Sequence, residues 1–310
     1  LVNIYSQRQE LEKAMDELEE VVKVQPTNGK AYEGMFKIRV HQKDWTKAMA
    51  VSERVKAAFP SQPTGFYFAG LVHQAERRLE ESIEQFESAL AVSPDAVQPL
   101  SQLVKSHLAL KQQDVAERRL KEVTERNEKN FVAYNLLGEL HLASKRLEEA
   151  TAAFERAREI NPKWAIPYRN IASAQIVAEE ADKAIATMEQ GIEKTDGSAL
   201  LVTGLAAYLE RTGKLDSAIE QYRKLLVDDP NSSLAVNNLA MLLIEYKDDD
   251  ASQQEARELA KSLQNSNNAA YLDTYGWIEH KFGDSARAVE VLEKAVAAAP
   301  NTAIMRYHLG

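Results

Sequence analysis

The chain contains no cysteine, and in 310 residues it has only 12 glycines and 9 prolines. Without cysteine there is no disulfide, no thiol nucleophile and no cysteine-held metal, a state compatible with both the cytoplasm and the periplasm. Few helix breakers leave most of the chain free to be regular structure. No apolar run reaches the ~18 residues that a membrane-spanning helix needs, and no signal peptide is visible. Leu1 reads as lying inside a helix, so the expectation is a fragment of a longer protein. A basic excess is missing too: 38 Lys and Arg face 47 Asp and Glu, a net charge of −9. Phosphate backbones require clustered cations, so nucleic acid is not the expected partner. Arg77-Arg78 and Arg118-Arg119 are short, Glu-flanked pairs that read as solvated helix faces.

What is present is Ala, Leu, Glu, Lys and Gln, all good helix formers, arranged on a ruler. Ala14, Ala48, Ser82, Ala116, Ala150, Ala184 and Ala218 stand 34 residues apart. Pro26, Pro60, Pro94, Pro162 and Pro230 keep the same grid, with Glu128 and Asp196 in the empty slots. A third column runs through Gly70, Val104, Gly138, Ala172, Ala206 and Ala240. Apolar residues follow helical spacing within each cycle, as at Tyr134, Leu137, Gly138 and His141. Each cycle is therefore predicted to hold two amphipathic helices, the small residue of the first facing the Ala of the second. Thr212-Gly213-Lys214 and Phe282-Gly283-Asp284 read as the turns between them. One hairpin cannot bury both stripes, so neighbours must stack. Looser packing is expected at Phe36, Val104, Glu128, Gly191 and Asp196, which depart from their columns.

Tyr134-x-x-Leu137-Gly138-x-x-His141, then Ala150-x-x-x-Phe154 and Pro162, resembles the tetratricopeptide repeat. Phe66, Ala69, Gly70, Ser82, Phe86 and Pro94 carry the same pattern, as do Leu272, Tyr275, Gly276, Ala288, Leu292 and Pro300. The resemblance implies an all-α, right-handed superhelical solenoid of antiparallel helix pairs. About eight full repeats are expected in a single solenoid over 1–310, ending near 26, 60, 94, 128, 162, 196, 230, 268 and 300, with a partial helix at 301–310.

The ruler breaks once. After Ala218 the next opening Ala is Ala256, 38 residues on, and the following one, Ala288, comes 32 later. Four residues are gained around 246–253 and two are lost around 264–268. The run Lys247-Asp248-Asp249-Asp250 reads either as an acidic contact loop or as a tolerated, solvated insertion. Its consecutive Asp residues lack the alternating oxygens and central Gly of a calcium loop.

No catalytic motif is found. Gly213-Lys214 lacks the earlier Gly and the following Ser/Thr of a phosphate loop, having Tyr208 and Leu215 there instead. His73, His107 and His141 stand 34 apart, but packed helices are about 8–10 Å apart and zinc needs nitrogens within about 2.1 Å. They read as packing residues, and no metal or cofactor is expected.

A solenoid of this kind implies a concave groove lined by the first helices. The face beside the core stripe carries Tyr67, Lys105, Asn135, Glu139, Arg169, Asn170, Asn237, Asn238, Asp273 and Trp277, which are the expected partner contacts. Asn and Arg on a rigid wall supply donors and acceptors for an extended peptide. Two readings of Trp277 stand: an exposed groove anchor, or a cap on the apolar wall beside Met241. Co-chaperones of this family hold a C-terminal carboxylate with Lys and Asn. Here Leu200, Gly204, Ala270 and Thr274 occupy the matching basic positions, so that clamp is incomplete.

Over the C-terminal repeats the wording narrows. NNLAMLL (237–243), YLDTYGWIEHKFGD (271–284) and MRYHLG (305–310) are similar to bacterial envelope lipoproteins associated with exosortase and PEP-CTERM sorting. That resemblance implies a periplasmic or envelope location, through a lipid anchor outside these residues, and a link to exopolysaccharide. The expectation is a non-catalytic scaffold that binds a protein or peptide. The alternatives are a polysaccharide-binding accessory, with Tyr67 and Trp277 stacking on sugars, and a helical domain attached to a catalytic region elsewhere.

Overall fold

The computed structural model describes Tyr5 and residues 10–310, and among these every regular element is helical. None of the described helices is long and apolar enough to cross a membrane. The chain divides into two compact units, Leu1–Asn161 and Pro162–Gly310. In the first unit, α1 (Leu11–Val24) precedes four helix pairs. These are α2 (Gly29–His41) with α3 (Trp45–Ala58), and α4 (Thr64–Ala75) with α5 (Leu79–Val92). Next come α6 (Val97–Ala109) with α7 (Gln113–Arg126), and α8 (Phe131–Ala143) with α9 (Leu147–Ile160). The second unit repeats the plan with α10 (Ala165–Val177) and α11 (Ala181–Lys194), then α12 (Ala199–Arg211) and α13 (Leu215–Asp228). It continues with α14 (Ser233–Tyr246) and α15 (Asp250–Ala260), then α16 (Ala269–Lys281) and α17 (Ser285–Ala298), and ends in α18 (Ala303–Leu309). Each helix packs on the next within its unit, and each unit's core runs along the stack.

The nearest neighbour of the first-helix glycine is a large side chain of the second helix, and at Gly276 the expected Ala288 is met as well, its carbonyl 3.4 Å from a Cβ placed there. A Cβ placed on Gly70 would lie 2.3 Å from the Phe86 ring, one on Gly138 2.4 Å from Phe154, and one on Gly276 2.7 Å from Leu292. The column residue of the second helix (Ser82, Ala150 or Ala288) lies four residues earlier, and the larger side chain fills the glycine notch. The Ala residues at 48, 116, 150, 184 and 218 are fully buried all the same.

Sizes trade across the pair. Val104 has Leu120 at the equivalent position, Ala206 has Tyr222, and Phe36 has Ser52. All six are buried, and Phe36 stacks flat on Phe68 at 4.0 Å. Paired changes of this kind partly offset one another in volume, which cores tolerate well. The looser packing expected at Phe36 and Val104 is not found. Gly191 is tight as well, because a Cβ there would lie 2.7 Å from both Tyr168 and Leu201. At the slot of Glu128, where proline is missing, Asn130 takes over: its Oδ1 accepts from the Ala133 N–H at 3.0 Å and caps α8.

The turns inside the pairs hold a feature that composition conceals. Lys43, Arg77, Lys111, Lys145 and Glu179 all have φ between 56° and 62°, at the 34-residue spacing, where Gly213 has 76°. The next N–H reaches back to the carbonyl five residues earlier, as Arg146 to His141 at 2.9 Å and Arg78 to His73 at 2.9 Å. This is the Schellman closure, which usually employs glycine.

The four added residues lie in the two flanking helices, one in α14 and three ahead of Ala256 in α15, while the turn keeps three residues. α14 is one residue longer than the preceding first helix, residues 247–249 form the turn, and α15 opens six residues before Ala256 instead of three. Asp249 caps α15, accepting from the Ser252 N–H at 2.9 Å, and Lys247 pairs with Asp216 on α13. The two lost residues shorten the far end, where α15 tightens into a 3₁₀ turn at Lys261–Leu263.

Ion pairs tie successive repeats on their outer helices: Arg54 forks onto Glu19, Arg119 onto Glu87 and Arg223 onto Glu255. Glu117 on α7 accepts from Arg146, at the start of α9, at 2.5 Å and from Lys121 at 2.7 Å. Those two hydrogen bonds, Arg146's first, lower its carboxyl from the usual range to about 2.

Three outcomes follow in denaturation experiments. Gly138→Ala should cost about 1–2 kcal/mol, since overpacking outweighs the gain in helix propensity, and less than half of that in a Phe154→Leu background. Equal costs in the two backgrounds would refute the notch. Lys145→Gly should stabilise by about 0.5–1 kcal/mol by relieving the left-handed turn, visible as a higher urea midpoint. Glu117→Gln should cost about 1–2 kcal/mol at pH 7. Because the folded carboxyl is depressed, its stabilisation is complete above about pH 4.5 and disappears as pH falls toward 2. The gap between wild type and Glu117→Gln must therefore close across that window.

Candidate functional site

The positions beside the core stripe recur once per first helix, so each unit presents them as a row. In the first unit, Glu33 and Lys37 form an exposed ion pair at 2.5 Å. Tyr67 is half-buried between Phe68 and Phe86, with centroids 6.2 and 6.1 Å away, and burial pushes its phenol up. It lines a hollow of about 450 Å³ with Tyr32, Glu33, Phe59, Thr64 and Gln98. Lys105 is exposed one repeat further on. Asn135 is buried to 3% exposure and donates to exposed Glu139 at 2.8 Å.

In the second unit the row begins with Arg169, which donates to Asn170 Oδ1 through Nε at 3.4 Å and Nη2 at 3.2 Å. Asn170 itself is buried. Asn237 donates to Asn238 at 3.0 Å, and Asn238 donates to the Tyr222 hydroxyl at 2.9 Å. Asn237 Oδ1 is buried and has no partner among the described residues. Asp273 is in a similar state: its Oδ2 meets His308 Nδ1 at 2.9 Å, while its buried Oδ1 meets nothing among them. Burial raises the Asp273 carboxyl and the histidine opposes that rise.

Trp277 is held on several sides. Its indole N–H donates to Glu245 at 2.6 Å, its ring stacks on His308 at 4.2 Å, and Lys281 Nζ lies 4.9 Å from the ring centroid. It is half-buried, a wall of the row with one polar tether.

Three residues of this region escaped the reading of the sequence. His308 on α18 showed no pattern there, yet it closes on Asp273 one repeat earlier. Arg211 and Tyr208, beyond the expected face of α12, line a hollow of about 230 Å³ together with Arg169. The available clue was the periodicity itself, since 308 follows 273 by about one repeat.

The histidine column takes a structural place. The carbonyls of His73, His107 and His141 each accept the Schellman N–H. His107 Nδ1 meets Gln112 at 2.9 Å. The Nδ1 atoms of His73 and His141 are buried and unpartnered among the described residues. Burial lowers both histidines below their usual range. No three His, Asp or Glu among the described residues are grouped to hold a metal ion.

Tetratricopeptide-repeat family profiles match residues 101–163, 169–233 and 269–302, together more than half of the chain. No curated relative matches it. Among solved structures, TTC0263, a thermophilic TPR protein in Thermus thermophilus, is 24% identical and aligns over 59% of this chain and 99% of its own, with a TM-score of 0.45. The human IFIT1 dimer with PPP-AAAA is 18% identical over 94% of this chain and 69% of that one, with a TM-score of 0.52. YrrB, a TPR protein with an unusual peptide-binding site, is 20% identical over 61% and 96%, with a TM-score of 0.38. At such identities the likeness speaks for the fold alone. The notched helix pairs, their 34-residue period and the matched profiles agree: the chain belongs to the tetratricopeptide-repeat family.

Proposed function

We propose that the chain is a non-catalytic scaffold that seats a protein or peptide segment on the row of residues borne by its first helices. The supporting observation is the pair of buried, unpartnered acceptors on α14 and α16, Asn237 Oδ1 and Asp273 Oδ1. A buried acceptor without a donor costs about 1–3 kcal/mol. An extended peptide carries backbone N–H donors at regular intervals and can relieve that cost. Half-buried Met241 and Trp277 beside them offer apolar contact to its side chains.

The proposed setting is a bacterial cell-envelope assembly for exopolysaccharide production or protein sorting, with any membrane attachment made outside these residues. Its support is the likeness of residues 237–243, 271–284 and 305–310 to envelope lipoproteins.

The test is a photo-crosslinking amino acid placed at Met241, and separately at exposed Lys224 on α13, in the full-length protein within its own cells. One defined envelope protein should crosslink at 241 and not at 224, with a yield about tenfold lower in Asn237→Ala. Equal labelling at both positions, or capture of polysaccharide alone, would contradict the reading.

A further inference from the structure

We infer that the hollow between α10 and α12 is an acid-binding pocket that takes a carboxylate side chain of an extended acidic peptide; this rests on the scaffold reading above and names the partner's chemistry. The hollow is lined by Arg169 and Ser173 from α10 and by Gly204, Tyr208 and Arg211 from α12, over a floor of Ala172 and Met188. Two guanidinium groups line it and no acidic side chain does, in a chain with 47 Asp and Glu.

Several arginines elsewhere in this protein are consumed internally, as Arg119 is by Glu87, Arg223 by Glu255 and Arg257 by Glu279. Among the described residues, neither Arg169 nor Arg211 has a carboxylate within 4.0 Å. Arg169 spends donors only on Asn170 Oδ1, and the Arg211 guanidinium lies 5.2 Å from the ring centroid of Tyr208. A guanidinium has five N–H donors in a planar fork that matches a carboxylate. Most of those donors remain available here.

Gly204 is a second, independent observation. Glycine is disfavoured inside a helix, and this fold otherwise places it there for contact. A Cβ on Gly70, Gly138, Gly191 or Gly276 would collide with a neighbour at 2.7 Å or less, whereas one on Gly204 would meet nothing within 4 Å. Internal packing therefore does not require glycine at 204, and its effect is to keep the hollow open.

The electrostatics favour selectivity. Ala172 and Met188 are buried to 1% and 3% exposure, so the floor is dry and a charge pair over it is stronger than one in open water. The overall charge of −9 works against loose binding of acids, but only at long range, since screening sets in over about 8 Å at physiological salt. An acid that reaches both guanidinium groups gains, and one that does not is repelled.

The test uses fluorescein-labelled octaglutamate, octaglutamine and a phosphoserine octapeptide, followed by fluorescence anisotropy at about 0.15 M salt. Octaglutamate should bind at least tenfold more tightly than octaglutamine. Arg169→Gln with Arg211→Gln should lose at least tenfold in affinity. Gly204→Leu should lose as much while keeping both charges, with circular dichroism confirming that it folds. Arg118→Gln with Lys121→Gln, in the first unit, should bind like wild type. Octaglutamate binding that survives in both the double-arginine and Gly204→Leu variants would overturn the assignment. So would binding of the phosphopeptide alone, or equal binding of octaglutamine. If octaglutamate fails while the Met241 crosslink still captures its partner, the acid pocket falls and the scaffold reading stands.

Discussion

Three helix pairs in this protein depend on how deeply one large side chain can sink into a glycine notch on its neighbour. Phe86 and Phe154 are fully buried because Gly70 and Gly138 offer no side chain where the rings lie. Burying such a ring supplies about 2–3 kcal/mol, and it sets the distance between the two helices. That distance is repeated each time the notch is repeated. Where the first helix is bulkier, the second gives way, as Leu120 does for Val104 and Ser52 does for Phe36. At these positions a larger side chain on one helix is met by a smaller one on the other, so a column that looks degenerate in sequence is matched in space.

That spacing is what aligns the rows of polar residues on the first helices. Core packing uses the stripe through the notch and leaves the neighbouring face unspent. On that face Asn237 and Asp273 keep buried oxygens without donors among the described residues, and Arg169 and Arg211 line a hollow that no acidic side chain lines. The outer helices do the reverse, closing Arg54, Arg119 and Arg223 onto glutamates of adjacent repeats. Buried oxygens left without donors on the first-helix face are what a binding scaffold can offer a partner.

The fold was legible because packing imposes a period, and a period survives in one dimension. Ala48, Ala116 and Ala150 could be read from spacing alone, as could the turns at Gly213 and Gly283. The partner of the notch could not, because spacing shows which residue is small and not which ring reaches it. The left-handed turn residues were hidden for a chemical reason: Lys, Arg and Glu occupy a conformation usually betrayed by glycine. The candidate face was legible as a list of residues and not as a set of contacts. His308 meets Asp273, and Arg211 joins Arg169, through three-dimensional neighbourhoods that no local motif encodes. The acidic run 247–250 left a contact loop and a solvated insertion both open; in the fold Asp249 serves as a helix cap and Lys247 as a tie to Asp216.

The central claim is that partners are held by the first helices of the repeats. Hydrogen–deuterium exchange of the full-length protein, alone and saturated with its captured partner, tests it most directly. The account predicts slowed exchange concentrated on first helices such as α12, α14 and α16, with α13, α15 and α17 unchanged. Protection confined to those second helices would contradict it and move the binding surface to the opposite face.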